Sequence, residues 1–229
     1  MTNERIKQAA HTWNTIAKSF DETRQYTWSF CNQYIKNLNA NTRCADLACG
    51  NGRHLLPLTM KCKTAVGFDI STNLLKITEE KLKENDITNT LLIQGDLCSL
   101  PFKNSIFDHI LYIAALHNIQ HKKNRIQSLN ELLRVLKPKG TALVSVWSRE
   151  QTRFKQKKFT QNKKMEPGDT IVYWRQHNLN IPRFYHLYKK DEFKEDLQKA
   201  NFHIQTLKEV SIASNKSVDN YYAIVEKNS

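Results

Sequence analysis

The chain has 229 residues, 40% hydrophobic and 25% charged, which suits one globular domain with a real core and excludes a disordered chain. Its 35 Lys and Arg against 22 Asp and Glu leave a net charge of +13, a field that draws in polyanions and is equally the mark of lysine-rich, solvated helix faces. No apolar run approaches a membrane span, the start MTNERIKQAAHTW lacks a secretory core, and the five cysteines (Cys31, Cys44, Cys49, Cys62, Cys98) form no CxxC pair, so a cytoplasmic protein with reduced thiols and no zinc site of its own is expected.

Ile6, Ala9, Ala10, Trp13, Ile16, Ala17 and Phe20 recur at helical spacing, and a second helix is expected over 28–38. Strands over 43–48, 64–70, 90–94 and 106–113 then alternate with helices over 53–60 and 74–82. A helix over 125–136 is stopped by Lys137-Pro138-Lys139-Gly140, and a fifth strand follows over 141–147. This order predicts an α/β fold, a mostly parallel sheet with helices on both faces. Residues 149–183 are polar, basic and weakly periodic, longer than an ordinary connection, and read as a basic insertion within one domain spanning 1–229. A helix over 191–200 and an antiparallel pair of strands over 203–210 and 221–226 complete a seven-stranded sheet.

The stretch CADLACGNGRHLL joins an apolar strand to a helix through a turn with glycines at Gly50 and Gly52, where the backbone can bend sharply and approach a ligand. GFDIS places Asp69 at the end of the next strand, 23 residues after Asp46, a spacing that suits an acid on ribose hydroxyls. QGDLCSLPF places Asp96 after the third strand. Each acid alone could be a helix cap; together with the glycine turn they converge on the carboxyl edge of the sheet, where such folds bind ligands. The turn lacks the GxGxxG spacing of a nucleotide dehydrogenase, having no glycine at Leu55, and Asp46 suits a cationic ligand better than a pyrophosphate.

Over 43–147 these motifs resemble the class I S-adenosylmethionine-dependent methyltransferases, with Rossmann-like architecture. The resemblance implies that Asp46, Gly50 and Gly52 face the amino-acid and sulfonium part of the cofactor. Asp69 with Ile70 would hold the ribose, and Asp96 with Leu97 would lie near the adenine. One departure is Ala48, where glycine is common. The ordered stretches TWNTIAKSFDETRQYTW, AALHNI, VSVWSREQ, IVYW and RFYHLY extend the resemblance over nearly the whole chain to the tRNA methyltransferases that esterify the 5-carboxymethyl group of wobble uridine.

That family implies S-adenosyl-L-methionine as cofactor, tRNA as partner, and a small zinc-containing activator paired to the strand at 90–94, with any zinc belonging to the activator. It places His117 near the transferred methyl and makes Arg183, His186 and Tyr188 donors and a stacking face for the uracil. Strand alternation sets Arg183, Tyr185 and Leu187 on one side and Phe184, His186 and Tyr188 on the other. The latter side is expected to present His186 and Tyr188 to the substrate, with Arg183 contributing through its reach. Tyr185 stands where the family carries a second arginine. Arg24 and Trp28 are expected to fold over the cofactor, and Trp147 and Trp174 to line the pocket. RFKQKKFTQNKK, with six Lys or Arg and two phenylalanines, suits an RNA backbone with a splayed loop. Two other readings fit the same motifs: a methyltransferase of a small carboxylate, phenol or quinone precursor, and an inactive methyltransferase-fold protein that binds RNA.

Overall fold

Residues 2–155, 165–212 and 217–229 are described by the computed structural model of the chain. The opening helical pattern folds as α1 (Thr2–Thr23) and α2 (Ser29–Lys36). The alternation that follows gives β1 (Arg43–Leu47), α3 (Leu55–Thr59), β2 (Thr64–Asp69), α4 (Thr72–Glu84), β3 (Thr90–Gln94) and β4 (Phe107–Ile113). After a 3-10 turn at Leu116–Asn118 come α5 (Lys122–Val135), β5 (Leu136–Trp147), the short α6 (Thr152–Lys155), β6 (Asp169–Trp174) and β7 (Ile181–His186). The described chain closes with α7 (Lys190–Lys199), β8 (Phe202–Val210) and β9 (Asn220–Lys227).

Seven strands form one sheet in the order β3-β2-β1-β4-β5-β9-β8, and β6 and β7 form a separate two-stranded ribbon. The pairs β1–β2, β2–β3, β1–β4 and β4–β5 are parallel, while β9 is antiparallel to both β5 and β8, so only β9 runs against the rest. The chain leaves β1 in one direction along the sheet and returns on the other side of it at β4. The carboxyl ends of β1 and β4 therefore flank the crevice where such sheets bind ligands. One face of the sheet, with Ala45, Ile110 and Val144, packs on Leu129 and Leu132 of α5 and Phe193 and Leu197 of α7. The other, with Cys44, Leu111 and Leu143, packs on Phe30 and Ile35 of α2 and Leu55 and Leu58 of α3. The five cysteines are free and buried. Among the described residues no helix is long and apolar enough to cross a membrane.

Two expectations change. The fifth strand begins at Leu136, five residues before the expected 141, because the Lys-Pro-Lys-Gly stretch forms a bulge. Leu136 pairs with Phe107, and the register resumes at Thr141 opposite His109. The stretch read as a long polar connection contains β6 and the start of β7, which pair as a hairpin. Residues 156–164, most of the basic run RFKQKKFTQNKK, lie outside the described residues.

Candidate active site

The floor of the site is the turn after β1. Ala48, Gly50 and Gly52 have φ of 67°, 57° and 80°. A Cβ on Gly52 would meet Thr78 at 2.8 Å and Leu56 at 2.9 Å, so that glycine answers both a left-handed backbone and a close approach. Ala48 sits in the same region with a Cβ, and alanine is tolerated there at a cost. Ala48→Gly is expected to stabilise the protein by about 1 kcal/mol, read as a higher urea midpoint at unchanged slope. The turn is held by Ala48 and Cys49, whose N–H groups donate to the Phe68 carbonyl at 2.7 and 3.0 Å.

Asp69 is not the cap of α4. Ser71 caps it, its Oγ accepting from the N–H of Leu74 at 3.1 Å. The Asp69 carboxylate instead accepts from the N–H of Gly50 at 2.9 Å and of Ser71 at 2.8 Å. Burial pushes its pKa up to about 6, with these backbone donors pulling back. Asp46 lies beneath the turn with Oδ2 unpartnered among the described residues. Burial, then the charge of Asp69, pushes its pKa up to about 8, against the pull of Arg53. Asp96 accepts from the N–H of Cys98 at 3.2 Å and pairs with Arg5 of α1.

Above this floor is a cavity of about 1140 Å³, part of it open to solvent. Asp69, Ile70, Asp96 and Leu97 line one end, and Gly50, Arg24 and His117 also reach it; Asp46 and Gly52 lie behind the wall. All four tryptophans of the chain, Trp13, Trp28, Trp147 and Trp174, line it. Helix α1 roofs the cavity. Asn14 Oδ1 accepts from Ser71 Oγ at 2.7 Å and from the N–H of Asn73 at 3.0 Å, and Ser19 Oγ accepts from Trp174 Nε1 at 2.8 Å. Four arginines line this space: Arg5, which pairs with Asp96, and Arg24, Arg53 and Arg183. Burial, then the neighbouring Arg183, lowers the pKa of Arg24; burial, then Arg24, lowers that of Arg53 to about 10. Cations crowded at this cost mark a place for an anion.

The hexapeptide RFYHLY occupies β7 and its exit, and its two sides are used the other way round from the expectation. Arg183 and Tyr185 line the cavity; His186 and Tyr188 do not. Arg183 Nη1 donates to the Tyr185 hydroxyl at 2.7 Å, and its guanidinium lies 4.9 Å from the Trp174 ring and 5.0 Å from the Tyr185 ring. Its Nε is buried with no partner among the described residues.

His186 instead bridges two carboxylates, Nδ1 to Asp169 at 2.7 Å and Nε2 to Glu192 at 2.9 Å. Burial opposes its charge, but the two acids outweigh burial and raise its pKa. Tyr188 is buried against Phe193 and beneath the guanidinium of Arg125. At this end of the ribbon His186 is held by Glu192 of α7, and Glu166, whose N–H donates to Asp169, is paired with Arg125 of α5, while Arg183 and Tyr185 on the other side face the cavity.

His117 packs against both Trp147 and Tyr185, with centroids at 5.5 and 5.0 Å, and those two rings also meet at 4.5 Å, so the three form one cluster. Its Nδ1 accepts the N–H of Trp147 at 3.1 Å, which puts the proton on Nε2. Burial, then the charges of Arg183 and His186, lowers its pKa to about 3, so it is a neutral donor. Trp13, Phe20 and Arg53 were missed as wall residues. Trp13 and Phe20 read as the packing stripe of a helix, and Arg53 follows the glycine turn directly, the one local signal available.

A family model described as a methyltransferase domain matches residues 45–144. The mouse tRNA (carboxymethyluridine(34)-5-O)-methyltransferase ALKBH8 is 31% identical over 164 residues, covering 71% of this chain and 23% of that protein. An Arabidopsis thaliana protein of the same activity name is 32% identical over 151 residues, covering 66% of this chain and 35% of its own. The chain thus spans about a quarter to a third of these relatives. A Schizosaccharomyces pombe protein of that name is 27% identical over 246 residues, covering 99% of this chain and 97% of its own. A SAM-dependent methyltransferase from Methanosarcina mazei shares the fold at TM-score 0.74 and 19% identity, over 89% of this chain and 99% of that one.

The chain belongs to the class I S-adenosylmethionine-dependent methyltransferases. The methyltransferase's own residues fit the cofactor. Asp69 ends β2 at the cavity wall, as an acid on ribose hydroxyls must, and Gly50 leaves the backbone open to close approach. Ile70 and Leu97 offer apolar contact at the same end, and Asp46, buried beneath the turn with Oδ2 unpartnered among the described residues, would offer negative charge to a cationic group once ionised.

Proposed function

We propose that this methyltransferase esterifies the 5-carboxymethyl group of the wobble uridine of tRNA, giving 5-methoxycarbonylmethyluridine. The carrying observation is Arg183, a buried guanidinium with an unpartnered Nε, braced by Tyr185 and flanked by aromatic rings beside neutral His117. That combination suits a flat base bearing a carboxylate.

S-adenosyl-L-methionine, when bound, supplies a methyl group on a positively charged sulfur. A carboxylic acid of pKa about 4 is already ionised at neutral pH, so its oxygen is the nucleophile and no residue has to remove a proton. Arg183 orients the anion and His117 Nε2–H donates to it. A neutral histidine suits this task, because the carboxylate loses charge as the ester forms and a tighter electrostatic hold would favour the ground state. Tyr185, Trp147 and Trp174 provide faces for the uracil and exclude water from the reacting oxygen. His186, with Asp169 and Glu192, acts on the site through β7 and is a positioning residue.

The partner reading rests on β3. It is one of the two outer strands of the sheet, β8 being the other, so one side of its backbone has no strand partner among the described residues, and Leu91 on it is 66% exposed. A solved structure of the Haloferax volcanii Trm112 methyltransferase activator with a putative methyltransferase, TM-score 0.70 at 15% identity over 95% of this chain and 98% of that one, gives a precedent in that protein for such a complex. We place a small zinc-containing activator on β3 and the pair in the cytoplasm.

The test is incubation with methyl-labelled S-adenosylmethionine, an activator, and tRNA carrying 5-carboxymethyluridine at the wobble position. The expected product is tRNA whose label is released by mild alkali. Alkali-stable label, or label on small molecules alone, overturns the reading.

A further inference from the structure

The β6–β7 ribbon has a second face. Its register sets Ile171 opposite Phe184 and Tyr173 opposite Pro182, while Val172, Arg183, Tyr185 and Trp174 point to the other side, where the cavity lies. Tyr173 is 47% and Ile171 38% exposed. Of the five large apolar side chains most exposed among the described residues, these two share one strand face. The guanidinium of exposed Arg175 lies 5.5 Å from the Tyr173 ring, adding a cation to the apolar tile.

Charge says what covers this face. Between residues 149 and 175 the sequence carries eight Lys or Arg and three acids. Two of those acids are spent internally: Glu166 pairs with Arg125 at 2.8 Å, and Asp169 bonds His186. By sequence the tract is left with a clear excess of cations over free acids, and among the described residues exposed Arg175 sets one of them beside the exposed Tyr173 ring. An apolar protein partner has no use for that charge; a single strand of RNA uses both, stacking its bases on aromatic faces and setting its phosphates against cations.

We propose that the outward face of this ribbon, centred on Tyr173 with Ile171 and Arg175, is a stacking platform for nucleotides that flank the target base in a single-stranded RNA loop. The ribbon then works on both sides: Arg183 and Tyr185 hold the target on one, and the neighbouring bases lie across the other. This deepens the proposed function and rests on it. It adds a source of selectivity, because the bases beside the target are read by how well they stack.

The experiment uses the full chain with its activator and an anticodon stem-loop bearing 5-carboxymethyluridine. Stacking on one aromatic ring changes affinity roughly five- to a hundredfold. Tyr173→Ala is therefore expected to raise the KM for RNA about tenfold with kcat retained, and Tyr173→Phe to restore it. An abasic site beside the target should raise the wild-type KM and leave that of Tyr173→Ala almost unchanged, because both remove the same contact. A wild-type enzyme that methylates the stem-loop while Tyr173→Ala and Ile171→Ser match it in KM overturns the platform and leaves the functional reading standing. So does a Tyr173→Ala variant whose defect is weaker activator binding, measured directly, instead of weaker RNA binding. A wild-type enzyme that methylates no carboxymethylated RNA overturns both.

Discussion

Arg183→Met is expected to slow methyl transfer at least a hundredfold while cofactor affinity stays within a few-fold of wild type. The side chain is buried, its Nη1 is anchored on the Tyr185 hydroxyl and its Nε is unpartnered among the described residues, so it keeps hydrogen-bonding capacity that the proposed substrate carboxylate would use. Removing one partner from a buried charged hydrogen bond costs about 2–5 kcal/mol, and a hundredfold in rate corresponds to about 2.7 kcal/mol. Arg183→Lys is expected to be almost as poor, because an ammonium neither stacks on Trp174 nor presents a planar fork. Single-turnover rates at saturating cofactor, alongside calorimetric titration of the cofactor, separate the two effects. Equal losses in both would move Arg183 to the cofactor's carboxylate. Thermal stability should rise in the methionine variant, since the repulsion that adds to burial in lowering the pKa of Arg24 disappears with the guanidinium.

Asp46→Asn is expected to raise the melting temperature at pH 8.5, with the gain shrinking as pH falls toward 5. The carboxyl group titrates near pH 8 in the folded protein against an ordinary value of 3.8. The folded state therefore holds its proton over a range where the unfolded chain has released it, and stability drains away as pH rises from about 4 to about 8. Asp69, raised to about 6, adds to the loss between about 4 and 6. Asparagine has no charge to bury, so the variant escapes the Asp46 share, of order a few kcal/mol at high pH. The same change should weaken cofactor binding about tenfold at pH 8.5 and less at pH 6, where the wild-type acid is itself mostly neutral. Melting curves across pH with and without cofactor test both signs; a stability gain that does not vary with pH would rule out this account of Asp46.

The sheet was legible because its signals are local. Apolar runs, the glycine turn and the acids at Asp46, Asp69 and Asp96 are each written within a few residues, and the order of elements then dictates where their ends meet. The ribbon was harder. Alternation correctly divided RFYHLY into two sides, but which side meets the cavity depends on Asp169 and Glu192, contributed by two other elements. The roof was invisible for the same reason: Asn14 and Ser19 read as the polar face of a helix until their partners Ser71 and Trp174 are brought to them. Tyr185, where the family resemblance places a second arginine, looked like a lost cation. In the fold it holds Arg183 by its hydroxyl and stacks on His117, so one cation is aimed instead of two being supplied.

The stretch matched by the general methyltransferase model runs from 45 to 144, yet much of the aromatic and cationic wall of the cavity comes from Trp13, Phe20, Arg24 and Trp28 before it and from Trp147, Trp174, Arg183 and Tyr185 after it. On the proposed reading, most of the groups that would hold the acceptor, His117 excepted, lie in tracts of chain outside the methyltransferase core and meet it only in space. Mutations in the flanking tracts can change the acceptor without disturbing the donor, a division of labour by which one inherited core can serve many substrates.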